Sequence, residues 1–225
     1  MRVLDLFSGL GGFSSAFKER GHEVVTVDIE PKFNPDLVAD ILNIEPEHLL
    51  GRFGYFNIIL ASPPCDCFSV ASIYRHWNNK TKMPTDEKTQ NRIALILHTI
   101  KLIHGLKPMF WVMENPRGMM RKIIGMPHYQ ITQCQYGKPV MKPTDLWGRL
   151  PKSFKPKRCK NGDPCHQSAP RGSKTGTQGI NVKAFKKNRY SYVVKGGGGN
   201  SSLRAIIPYG LSLAICEAVE KELLQ

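Results

Sequence analysis

The stretch Ala61–Ser69 reads Ala-Ser-Pro-Pro-Cys-Asp-Cys-Phe-Ser, a cysteine behind two prolines with a second cysteine two residues on. A thiol so placed could be a small buried apolar group, half of a metal site, or a nucleophile on a stiff turn. Pro63 and Pro64 restrict the backbone just past the apolar run Asn57–Ala61, so Cys65 stands at the edge of a strand, where a nucleophile is needed. For Cys67 the buried reading stays open. Cys-x-Cys also occurs in zinc sites, but no other cluster of ligands lies close in sequence. Glu114-Asn115-Pro116 closes another apolar run, and a protonated glutamate there can donate to a pyrimidine ring nitrogen or simply cap a loop. In Asp5–Phe13, Asp-Leu-Phe-Ser-Gly-Leu-Gly-Gly-Phe, the glycines let a backbone approach a ligand at a helix N-terminus, though a tight turn would need the same residues. Asp28, after the next apolar run, suits ribose hydroxyls, and Asp40 suits an adenine amino group. Either could equally be a solvated acid.

These residues need elements to position them. Val3–Phe7, Glu23–Val27, Asn57–Ala61 and Phe110–Met113 are short apolar or β-branched runs and predict strands. Phe13–Arg20 and Asn91–Leu106 carry helical spacing, the second through Ile93, Ile96, Leu97, Ile100 and Ile103. Strand and helix in alternation predict a parallel α/β sheet with helices on both faces, whose ligands sit beyond the carboxyl ends of the strands. Ser212–Leu224 predicts a last helix, capped by Ser212 and packed back on the sheet.

The chain has 225 residues, enough for one full core with a small appended lobe. Its net charge of +14 favours a polyanion, nucleic acid before membrane. Most of that charge lies between about Met141 and Tyr190, where periodicity is weak and Pro and Gly are common. The division expected is a catalytic cofactor-binding domain over 1–140, a basic loop-rich lobe over 141–200, and a terminal helix over 201–225. No apolar run could span a bilayer, and the N-terminus is a poor signal peptide, so an intracellular protein is expected. In a reducing compartment the six cysteines are thiols, ligands or nucleophiles rather than disulfides.

Together these motifs resemble the cytosine-C5 DNA methyltransferases, in order and spacing from Met1 to about Pro116. The resemblance implies a Rossmann-like sheet that binds S-adenosylmethionine. Its contacts would come from Asp5, Phe7, Ser8, Gly9, Gly11, Gly12, Asp28, Ile29, Asp40, Ile41, Pro63 and, late in the chain, Asn200 and Ser201. Cys65 would attack a flipped-out cytosine, with Glu114 and Asn115 completing the catalytic set. Duplex DNA would be contacted by Ser69, Arg75, Arg117, Lys142, Arg171 and Lys174, and the loop Phe68–Thr89 could close over the flipped base. It also implies a monomer of the restriction-modification type, in the cytoplasm of a bacterium or phage-infected host. After Tyr136-Gly137-Lys138-Pro139 the family's Gln-x-Arg-x-Arg signature is replaced by Val-Met-Lys-Pro-Thr, so its arginine is missing; Lys142 or Arg117 could substitute. A DNA-binding protein without activity, or the same chemistry on RNA, are the other readings. Unexplained by the resemblance are Cys134, Cys159, Cys165 and His166, a candidate structural zinc site.

Overall fold

The computed structural model describes residues 1–70, 72–138, 140–160, 163–166 and 205–224. Arg171, Lys174, Asn200 and Ser201 lie outside the described residues.

The apolar runs do form strands. β1 (Arg2–Leu6), β2 (Glu23–Asp28), β3 (Leu37–Val38), β4 (Ile58–Ala61) and β5 (Phe110–Pro116) are mutually parallel. Two further strands, β6 (Tyr129–Thr132) and β7 (Pro143–Arg149), complete a seven-stranded sheet of order β3-β2-β1-β4-β5-β7-β6. β7 runs antiparallel to both of its neighbours. The chain winds one way from β1 to β3 and the other way from β4 to β5. The crevice between the ends of β1 and β4 is therefore where such a sheet binds its ligand.

Side chains alternate between two cores, as the pleat requires. Leu4, Leu6, Ile59, Ala61 and Met113 face one core, which is closed by α2 (Pro46–Phe53) and the long α4 (Glu87–Leu106). Val3, Ile58, Leu60 and Val112 face the other, which is closed by α1 (Ser15–Glu19) and the terminal α6 (Tyr209–Leu223). Two shorter helices, α3 (Ile73–His76) and α5 (Met120–Ile123), lie in the connections after β4 and β5. The expected doubly wound architecture is thus present.

Several local expectations need correction. β5 continues through Glu114, Asn115 and Pro116, because Glu114–Pro116 pair with Leu146–Thr144 of β7. Pro143–Arg149, assigned by charge to the lobe, is an inner strand, and Leu150 and Phe154 beyond it are buried in the second core. The sheet domain therefore runs past residue 140, to at least Phe154. α4 starts at Glu87 rather than Asn91, because the Asp86 carboxylate accepts the Thr89 N–H at 2.8 Å and caps it there. Ser212 does not cap α6, which begins after Pro208. Its hydroxyl instead donates to the Phe13 carbonyl at 2.6 Å and accepts the Ala16 N–H at 3.1 Å, serving the first turn of α1. The loop Phe68–Thr89 holds α3 and a buried Trp77, whose Nε1–H donates to the Cys67 carbonyl at 2.7 Å.

Candidate active site

The loop after β1 is shaped by its glycines and by two carboxylates. Phe7, Gly9 and Gly11 all have positive φ, the first a strained conformation for a side chain of its size. A Cβ on Gly12 would lie 2.8 Å from both Ile206 Cγ2 and the Ile207 carbonyl oxygen, so this turn is seated against the segment before α6. Asp28 accepts the Gly9 N–H at 2.8 Å on one oxygen and the Glu30 N–H at 2.9 Å on the other. Each oxygen keeps a lone pair for a further donor. Ser8, nearly buried, donates its N–H to Val27 at 3.1 Å. Beneath this loop Asp5 is fully buried; Ser14 donates to its Oδ2 at 2.6 Å, and its Oδ1 has no partner among the described residues. Burial pushes its pKa up to about 7, against the pull of the Ser14 hydroxyl and Lys18.

Beside the loop opens a cleft of about 530 Å³, lined among others by Phe7, Ile29, Asp40, Ile41 and Pro64. The volume suits a nucleoside-sized ligand. Phe7, Ile29 and Ile41 offer apolar surface. Asp40 spends one oxygen on the Leu42 N–H at 3.0 Å as it caps the turn Ile41–Asn43. Asp5, Gly9, Gly11, Gly12 and Asp28 form the adjoining loop and its floor. A flat heterocycle and a polyhydroxylated sugar fit these surfaces.

Cys65 begins the turn after β4, half-buried, with its carbonyl accepting from Phe68 N and Ser69 N, both at 3.1 Å. Asp66 anchors the turn to α4 through Lys88 at 2.8 Å and Arg92 at 3.2 Å. Burial would raise Asp66, but these two cations outweigh it and hold the carboxyl below its usual range. On the other side Gly118 packs its backbone on Phe68 and Ser69, and Met119 N–H donates to the Phe68 carbonyl at 2.8 Å. β4 and β5 are adjacent, so the Cys65 turn and Glu114 lie side by side. Asn115 joins them: its Nδ2 donates to the Pro63 carbonyl at 3.0 Å in a buried bond. Cys67 is fully buried, as a packing thiol would be.

Glu114 is buried and accepts from Gln133 Nε2 at 3.2 Å; the same amide donates to Thr144 Oγ1 at 3.0 Å. Burial raises the Glu114 pKa above the usual carboxylate range, with Lys142, Lys138 and the Gln133 bond opposing. Cys65 is likewise pushed up by burial, with Lys142 pulling the other way and Glu114 and Asp66 adding to the rise. Lys138, itself buried, is held well below an ordinary amine by desolvation first and then by Lys142. The site thus brings together a thiol and a carboxyl, both pushed up by burial, with Lys142 opposing both rises and Lys138 opposing that of Glu114.

Of the candidates for the missing arginine, Lys142 is the one whose charge reaches Cys65 and Glu114. Arg117 is fixed through its N–H to the Pro143 carbonyl at 3.0 Å. Arg75 is exposed and lies on the Tyr74 ring, 5.1 Å from its centroid, and Ser69 Oγ lies 3.1 Å from Ser72 Oγ. Lys138, Gln133 and Thr144 escaped the sequence reading. Nothing local in Tyr-Gly-Lys-Pro marks Lys138 as buried.

Cys134, Cys159, Cys165 and His166 do come together, with one candidate ligand atom from each within 4.8 Å of the others.

The family model for C-5 cytosine-specific DNA methylase matches residues 1–133. Type II methyltransferase M1.HphI of Haemophilus parahaemolyticus is 28% identical over 146 residues, covering 59% of this chain and 37% of that one. Type II methyltransferase M.DdeI of Desulfomicrobium norvegicum is 29% identical over 132 residues, covering 53% and 29%. The chain spans about a third of the length of these relatives. A solved structure described as a DNA modification methyltransferase encoded within a prophage (E. coli) is 21% identical, with a TM-score of 0.49 over 71% of this chain and 52% of that one. With the family model covering more than half of its residues, the chain belongs to the C-5 cytosine-specific DNA methylase family.

Proposed function

We propose that the chain is a DNA cytosine-5 methyltransferase acting through a covalent adduct of Cys65. The observation that carries this is the buried Asn115–Pro63 bond, which ties the Cys65 turn to the strand of Glu114, a carboxyl whose pKa burial raises. The net charge of +14 supports a polyanionic substrate, duplex DNA. No described helix is long and apolar enough to cross a membrane.

Phe7, Ile29, Asp40 and Ile41 would hold the adenosine part of S-adenosylmethionine, with Asp28 and the glycine loop along its sugar and tail. When bound there, that cofactor supplies an electrophilic methyl group. Cys65, as thiolate, adds to C6 of a cytosine turned out of the helix, which makes C5 nucleophilic. The Lys142 ammonium favours this thiolate. Glu114, pushed by burial toward its protonated form, donates to N3 and stabilises the adduct. Gln133 holds that carboxyl in place, and Asn115 keeps the thiol at its distance. Once C5 carries the methyl group, loss of its proton and departure of the Cys65 sulfur restore the ring. The lysine-rich segment after Phe154 would grip the DNA backbone. The cysteine-histidine cluster would bind a metal ion outside this chemistry, because Cys65 supplies none of its ligands.

The test incubates the protein with S-adenosylmethionine and mixed-sequence duplex DNA, and looks for 5-methylcytosine by mass spectrometry of the nucleosides. Modified cytosine with the wild type and none with Cys65→Ala, at equal DNA binding, is the expected result. Transfer retained by Cys65→Ala overturns the mechanism. Binding without product, or product on RNA alone, overturns the activity.

A further inference from the structure

The cluster beyond β6 has the dimensions of a coordination sphere. Cys134 Sγ lies 3.2 Å from Cys159 Sγ and 3.7 Å from Cys165 Sγ. His166 Nδ1 lies 3.7 Å from Cys159 Sγ and 3.4 Å from Cys165 Sγ. A tetrahedral zinc ion has Zn–S distances near 2.3 Å and Zn–N near 2.0–2.1 Å, so its ligand edges are about 3.8 Å between sulfurs and about 3.5 Å from sulfur to nitrogen. Three of the four separations fall within about 0.2 Å of those edges. The fourth, 3.2 Å, is well beyond the roughly 2.05 Å of a disulfide.

The backbone around the cluster is organised to hold it. Cys134 sits on the turn Gln133–Tyr136 that follows β6. Opposite it, the segment after Phe154 is laid against β6 by Thr132 N–H to the Lys157 carbonyl at 3.1 Å and Cys159 N–H to Thr132 Oγ1 at 2.9 Å. The Tyr136 hydroxyl accepts the Lys157 N–H at 2.9 Å. Between Cys159 and Cys165 the chain turns on Asp163, whose carboxylate accepts the Lys160 N–H at 2.8 Å. Four ligands from two separated stretches therefore meet, with the backbones of Cys134 and Cys159 already bonded.

We infer that Cys134, Cys159, Cys165 and His166 form a closed zinc site that staples the basic segment after Phe154 to the turn beside the catalytic acid. Three thiolates and an imidazole suit zinc over harder ions such as magnesium or calcium. Four protein ligands leave no open position, so the ion is structural. Its surroundings, with Lys157, Arg158 and Lys160 nearby in sequence, favour the net negative charge of three thiolates on one dication. Cys134 is the chain neighbour of Gln133, which donates to Glu114. The staple thus fixes the far end of that hydrogen bond, a consequence that rests on the methyl-transfer reading. The site itself does not.

The experiment measures zinc by mass spectrometry of the full chain, purified without chelator, beside Cys65→Ala and a Cys159→Ser/Cys165→Ser double variant. One zinc per chain is expected in the wild type and in Cys65→Ala, falling at least tenfold in the double variant. Should the double variant fail to fold, the wild type with cobalt(II) in place of zinc decides: the intense visible bands of tetrahedral cobalt and a thiolate charge-transfer band are expected. Wild-type protein without zinc and without that spectrum, zinc unchanged in the double variant, or a Cys134–Cys159 disulfide would each overturn the site. None of these readings depends on methyl transfer, so failure of the site and failure of the enzymatic reading are told apart.

Discussion

Asp5 offers a sharp test of the burial reasoning. Its carboxyl is 0% exposed, and burial raises it from 3.8 to about 7, more than the Ser14 hydroxyl and Lys18 pull it down. In the unfolded chain the group titrates near its ordinary value. Below about pH 4 both states hold the proton and the group contributes nothing to the pH dependence. Between that point and about 7 only the folded chain holds it, so stability falls as pH rises, by up to about 1.4 kcal/mol per pH unit. Above 7 the loss levels off at roughly 4 kcal/mol. Asp5→Asn removes the titration while its amide oxygen can still accept from Ser14. Urea unfolding of both proteins across this range cancels every other titrating group. The variant should gain on the wild type by roughly 2.5 kcal/mol between pH 5 and pH 8. Parallel profiles, separated by a constant offset, would refute the buried proton.

Three further outcomes follow from single substitutions. In Gly118→Ala the new Cβ would lie 1.9 Å from the Phe68 carbonyl oxygen. It should lower stability by about 3 kcal/mol or more and abolish the proposed methyl transfer by displacing the Cys65 turn. Gly51→Ala in α2, where a Cβ meets nothing within 4 Å, should be neutral or stabilising by about 0.5–1 kcal/mol, as thermal melts of the pair would report. Ser212→Ala leaves the Phe13 carbonyl and Ala16 N–H without their buried partner. A loss of about 2–3 kcal/mol in urea unfolding is expected, with weaker S-adenosylmethionine binding by calorimetry.

Much of the candidate site's placement was legible because each chemical residue sits where an apolar run stops. The end of β1 announces the glycine loop, that of β2 announces Asp28, and that of β4 announces Cys65 behind its prolines. Such signals are local, and the parallel strands that carry them are buried on both faces. β7 was not legible. Its Pro-Thr-Asp-Leu-Trp-Gly-Arg is short of β-branched residues and carries an acid, and Asp145 is buried only because Arg121 pairs with it at 2.5 Å. Missing β7 also hid Gln133, Lys138 and Thr144, whose roles arise when the chain folds back between β5 and β6. Ser212 misled for a related reason. A serine near a helix start reads as that helix's own cap, yet its hydroxyl serves a helix 196 positions away in sequence.

That distance has a consequence for how the protein is made. The glycine loop is made some two hundred residues before Ile206, Ile207 and Ser212, on which its shape leans. During synthesis the loop must wait, its strands able to pair while its ligand cleft stays unfinished. A nascent chain would therefore gain its grip on a nucleoside only after α6 has emerged, in one late step rather than by degrees. These two distant stretches act as a clasp, and the ligand is offered its seat only once that clasp has shut.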